Sequence, residues 1–141
     1  MNPFEDLIRE LGQKIGLTII PGNNQSCRLK VSKELFVQID LDANGDKILI
    51  GAELGPLVQG SYRDAVLKQA MCVNGTSILP RGVLAFSEKN NSLVLFQFFS
   101  LAYIDAEKLF RFLKLFIAHA RAWISSIAHQ ELPEIAKEAT L

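Results

Sequence analysis

The sequence predicts a single α+β domain with the element order α-β-β-β-α-β-β-α, its sheet twisted, mostly antiparallel and covered by helices. Three observations carry that expectation. Three short segments in the first half alternate apolar and polar residues with period two. Two strand-like runs, GVLAFSE and SLVLFQFFSLA, are separated only by Lys89-Asn90-Asn91. The second run leads into a long helical pattern that opens at Asp105. With 141 residues, 49% of them hydrophobic, the chain suits one domain over 1–141 with one core.

A first helix starts with Asn2 as N-cap, Pro3 at the first helical position and Glu5 and Asp6 at the positive end of the helix dipole. Phe4, Leu7, Ile8, Leu11 and Ile15 recur at helical spacing, and Gly16 is the left-handed stop. LTIIPGNNQS, with Pro21-Gly22-Asn23-Asn24, reads as a loop with at most a short extended start. The three alternating strands follow: Cys27, Leu29 and Val31; Leu35, Val37, Ile39 and Leu41; Ile48, Ile50, Ala52 and Leu54. Ser32-Lys33 links the first two, and Asn44-Gly45 within Asp42–Asp46 marks a tight hairpin between the next two.

After Leu54-Gly55-Pro56-Leu57, Ser61 and Asp64 have the spacing of a capping box, which predicts a second helix over Tyr62–Val73 stopped by Asn74-Gly75. Its apolar residues, including Tyr62, Val66, Leu67, Ala70, Met71 and Val73, spread over more than one face. Such a helix needs burial on two sides, which a partner subunit can supply. From Leu93 to Leu101 both faces of the last strand are apolar as well. The final helix lies on one of them; the other is left for more of this chain, a second subunit or a ligand. In that final helix Leu109, Leu113, Phe116, Ala120, Trp123 and Ile127 form one stripe, widened by Phe110, Phe112, Ile117 and Ile124. The remaining residues, 131–141 with Pro133 and mixed charge, read as a loose tail.

Composition excludes several functions. Fifteen basic and fifteen acidic residues balance to zero, with no basic run to bind nucleic acid. MNPFEDL has no apolar signal region and no stretch is long enough to span a bilayer, so a cytoplasmic protein without membrane insertion is expected. Cys27 and Cys72 read as small buried hydrophobes. Asp40-x-Asp42-x-Asn44-Gly45 reproduces half of a calcium loop, but Gly51 stands where its closing Glu belongs, so no metal is expected. His119 reads as a stripe-edge residue and His129 as an exposed helix end, neither with a neighbouring ligand or carboxylate at a spacing that suggests a metal site or triad. No catalytic residue and no cofactor is expected.

A Cys-x-Leu-x-Val strand at Cys27–Val31, a hairpin and the Leu54-Gly55-Pro56-Leu57 exit are followed by a helix ending Ala70-Met71-Cys72-Val73-Asn74-Gly75. Gly82-x-Leu84-Ala85-Phe86, the apolar strand and the Asp105 helix with Ala122-Trp123 complete the series. In order and spacing, over nearly the whole chain, this resembles the small class I chaperones of bacterial type III secretion, the family that includes the chaperone of the Tir effector. The resemblance implies a cytoplasmic homodimer joined through the second helix and the strand after it, at Tyr62, Val66, Ala70, Val73, Leu84 and Phe86. It also implies binding of the N-terminal chaperone-binding segment of secreted effector proteins, held extended, soluble and secretion-competent without ATP hydrolysis. Partner-binding grooves then involve Phe4, Leu7, Ile8 and Leu11 with Leu29 and Val31. Contact with the secretion ATPase stays open. The chain departs from the family in its neutral charge and in the ending of the second helix, which leaves a heterodimer with a related chaperone open. Two other functions remain: a small apolar-ligand carrier with a cavity between the last helix and the sheet, and a general protein-interaction module without a secretion role.

Overall fold

The computed structural model describes residues 3–22, 25–76 and 80–133. Helix α1 (Pro3–Ile15) turns Phe4, Leu7 and Leu11 inward, and Gly16, at φ 66°, ends it in the left-handed conformation that glycine adopts without penalty. The expected Asn2 cap and the Asn23-Asn24 turn lie outside the described residues. A strand, β1 (Thr18–Pro21), occupies the stretch read mainly as loop. It is only four residues long, and its strand character comes from pairing, Thr18 opposite Lys30 through Pro21 opposite Cys27 on β2 (Ser26–Lys30).

Strands β3 (Phe36–Leu41) and β4 (Lys47–Pro56) form the predicted hairpin, followed by α2 (Ser61–Thr76), β5 (Val83–Ser87) and β6 (Ser92–Ser100). A short 3-10 turn at Leu101–Tyr103 leads to α3 (Ala106–Ala128). The six strands run in the order β1-β2-β3-β4-β6-β5, every neighbour antiparallel. The α+β class holds, with one strand more than the five expected.

Alternation sorts the strand residues between two faces. Cys27 and Leu29, Val37 and Ile39, Ile48, Ile50 and Ala52, and Leu93 and Leu95 point to one face and are buried there. Helices α1 and α3 pack together over this face. Asp105 caps α3 by accepting a 2.8 Å hydrogen bond from the Lys108 backbone N–H. All six residues of the predicted stripe are buried. Phe112 joins them through an edge-on contact with Phe99 at 4.8 Å. Gly82, at φ 100°, passes so close to Leu95 and Phe116 that a Cβ there would lie 3.1 Å from both.

Helix α2 runs through Asn74-Gly75 to Thr76, three residues beyond its predicted end. Asn74 does not stop the helix, because its side chain has another task. Its amide nitrogen donates to the Leu84 carbonyl at 2.7 Å, and its oxygen accepts from the Leu84 N–H at 2.9 Å. The last turn closes instead through the Thr76 hydroxyl, which donates to the Cys72 carbonyl. The Tyr62 hydroxyl bonds the carbonyl of Ser126 in the last turn of α3 and that of Glu131 beyond it, and the Gln69 amide bonds that of Pro133. Thus residues 131–133 are tied to α2, while the rest of the expected tail, 134–141, lies outside the described residues.

Candidate protein-interaction site

The titratable groups are arranged for structure. Burial and the nearby Asp40 charge push the Cys27 thiol up to about 11, so it remains a protonated, unreactive core group. Cys72, expected to be buried, is exposed, because α2 turns Val66, Ala70 and Val73 to the sheet and Cys72 away from it. His119, expected at the edge of the α3 stripe, is inside the core at 4% exposure, with Trp123 edge-on to its ring at 6.3 Å. Burial, reinforced by the Arg81 charge, lowers its pKa to about 4. His129 is exposed at the C-cap of α3, as expected.

Within the half calcium motif, Asp42 is used by its own turn and Asp40 accepts from the Gln38 side chain. One Asp42 carboxylate oxygen accepts from the backbone N–H groups of Asp46 and Lys47 at 2.8 and 3.2 Å, and the Asp42 carbonyl accepts from Gly45. These hydrogen bonds, that from Lys47 foremost, hold the carboxyl below its usual range. No cluster of three or more His, Cys, Asp or Glu side chains suited to a metal exists among the described residues. No helix among them is long and apolar enough to cross a membrane.

Apolar surface is the remaining resource; besides the exposed Val58 and Tyr103 and a hollow between residues 56–62 and the end of α3, three places present it. First, the sheet face away from α1 and α3 exposes about half of Phe98 (51%) and parts of Phe36, Val94 and Phe96. A hollow of about 530 Å³ lies there between Phe36, Gly51, Val94 and Phe96, with Arg28, Glu34 and Glu53 around it. This is the second face of the last strand, left open by the chain's own elements. Second, α2 exposes Met71 (74%), while Val83 (38%), opposite Phe96 on β6, carries the open sheet face out to the β5 edge. Third, a groove of about 280 Å³ runs between the end of α1, the end of β2 and one side of α3. Ile15, Leu17, Val31, Phe110, Leu113 and Ile117 line it, together with the exposed Lys114 and Arg121.

Against these surfaces the residues named from the sequence divide. Of the partner-binding set, Phe4, Leu7, Leu11 and Leu29 lie in the protomer's own core; Ile8 and Val31 are half-buried, and Val31 lines the groove. Of the dimer set, Val66, Ala70, Val73 and Leu84 lie in the core, while Tyr62 and Phe86 are half-buried against it. Met71 on α2 and Val83 on β5 are exposed, whereas none of the six residues named for the seam is. Met71 was visible in the spread of apolar positions on α2; Val83 was hidden by its place next to the better-marked Leu84.

The sheet has two edges, β1 and β5. The outward N–H and C=O of Leu84 are taken by Asn74, so β5 is blocked to an added strand at that point. Meanwhile the space between α3 and the sheet, which a ligand carrier would need, is filled by Leu109, Leu113, Phe116 and Trp123, each 1% exposed or less.

The family model of the Tir chaperone protein (CesT) family matches residues 6–124. No curated protein matches the chain at the sequence level. Among solved structures, the HopA1–SchA chaperone–effector complex aligns at TM-score 0.68 and 13% identity, covering 87% of this chain and 94% of that one. The Yersinia pestis type III secretion chaperone SycH, in complex with a stable fragment of YscM2, aligns at TM-score 0.63 and 17% identity, covering 84% and 97%. The ExoT–SpcS complex of Pseudomonas aeruginosa aligns at 0.62 and 20%, covering 86% and 97%. At these identities the likeness is one of fold.

Proposed function

The chain belongs to the Tir chaperone protein (CesT) family, and from that premise we propose that it is a bacterial type III secretion chaperone acting in the cytoplasm. As a homodimer it holds the N-terminal segment of one or more secreted effectors in extended form, without ATP hydrolysis. The observation that carries the reading is the apolar groove at Val31, left open in a chain whose family match runs through almost every element. Ile8 and Val31 touch the partner, and Phe4, Leu7, Leu11 and Leu29 hold the groove's walls in place from below. An extended segment suits it, because β1 has a neighbouring strand on one side only and stands next to the groove.

The dimer forms where α2 and β5 meet the surface. Met71 supplies exposed apolar area on α2 and Val83 at the rim of β5, Tyr62 and Phe86 are half-buried, and Val66, Ala70, Val73 and Leu84 lie in the core beneath. Pairing with a related chaperone uses the same surface. Chaperone–effector pairs among the structures of like fold support the partner class. Affinity capture of the chain from its native host, followed by mass spectrometry, tests the reading. Recovery of a secreted protein through its N-terminal segment is expected; recovery of none from a secreting culture contradicts it.

A further inference from the structure

We propose that the groove at Val31 selects a partner segment whose apolar anchor is flanked by carboxylates, which Lys114 and Arg121 read. The proposal rests on the chaperone reading above and adds to it the charge of the segment. Phe110, Lys114, Ile117 and Arg121 recur along one side of α3, so the two cations bracket the apolar Ile117. The Lys114 ammonium lies 4.6 Å from the Phe110 ring centroid, above the groove's apolar wall. Neither Lys114 nor Arg121 has an ion pair among the described residues, and no carboxylate lines the groove there. By contrast, Arg28 at the hollow on the open sheet face stacks on Phe36 at 4.3 Å and shares that hollow with Glu34 and Glu53. Of these two depressions, the groove alone combines an apolar floor with charge of one sign.

The physical consequence concerns desolvation. An apolar segment entering the groove strips water from two cations. A neutral or basic segment leaves them unpaired, whereas acidic neighbours of the anchor replace the lost water with charge-assisted hydrogen bonds. Lys114 and Arg121 are seven positions apart, about 10 Å along the helix axis. An extended segment rises about 3.3 Å per residue, which places its two carboxylates about three residues apart with the anchor between them.

Random-peptide display on the wild-type protein and on the Lys114→Glu/Arg121→Glu variant tests this. Both side chains are exposed, so the variant keeps its fold. Wild type is expected to enrich Asp and Glu within about three positions of an apolar residue, and the variant to enrich Lys and Arg instead. A wild-type-selected peptide should bind the variant about tenfold more weakly at low salt, with the gap closing at high salt, and should fail to bind Val31→Asp. Identical peptide compositions from the two proteins, no enrichment on wild type, or full binding to Val31→Asp would each overturn the proposal. If host capture still recovers a secreted partner in that event, the chaperone reading stands and only the acidic selection is lost.

Discussion

Helices α3 and α2 solve opposite problems. The apolar residues of α3 centre on one stripe, and the chain's own sheet and α1 bury its six central residues from Leu109 to Ile127. Those of α2 spread around the helix; the inward set, Val66, Ala70 and Val73, is buried, while Met71 stays 74% exposed. A stripe of one face can be completed within a single protomer, whereas apolar residues on two faces need material from outside it. In our account α3 therefore holds the fold together and α2 presents it to a second copy.

The largest effect should come from breaking the α3 side. Trp123→Ala removes the largest fully buried side chain, and urea titration should show a loss of about 3–5 kcal/mol. Acid comes next. Because His119 is held neutral, with a pKa near 4 against 6.5 for a free histidine, its contribution is fully present above pH 6.5 and falls as pH drops toward 4, where the unfolded chain takes up a proton that the folded one resists. The loss is at most about 3 kcal/mol, less where solvent screens the charge, and His119→Leu should flatten denaturation midpoints over that window.

On the α2 side the effects on protomer stability are smaller. Asn74→Ala leaves the Leu84 N–H and C=O without their side-chain partners and should cost about 2 kcal/mol by thermal or urea unfolding; equal stability would mean that water replaces the amide fully. Met71→Glu should change protomer stability by no more than about 0.5 kcal/mol, since the side chain is exposed, and yet act on assembly.

The same contrast explains what the sequence disclosed. Helix α3 was legible down to its cap, because Asp105 and a single stripe are local signals. Strand β1 was legible only as an extended start, since four residues have little pattern of their own and β2 supplies the rest. The end of α2 was misplaced because Asn-Gly normally punctuates a helix, and only the fold brings Asn74 to the backbone of Leu84. His119 looked peripheral because its helical position lies at the edge of the stripe, and only the fold buries it; that burial, with the Arg81 charge second, lowers its pKa. Similarly, the groove draws on Leu17, Val31 and the Phe110–Arg121 side of α3, three stretches whose meeting no local period announces. Val31 was named in advance; Phe110 and Ile117 had been counted only as the widening of a packing stripe.

The division of labour between the two helices is tested most directly by molar mass in solution. Light scattering on the wild-type chain and on Met71→Glu at equal micromolar concentration should give twice the 15.7 kDa chain mass for the first and 15.7 kDa for the second, both fully folded. A wild-type monomer, or a Met71→Glu variant that remains a dimer, would contradict the assignment of α2 to the interface.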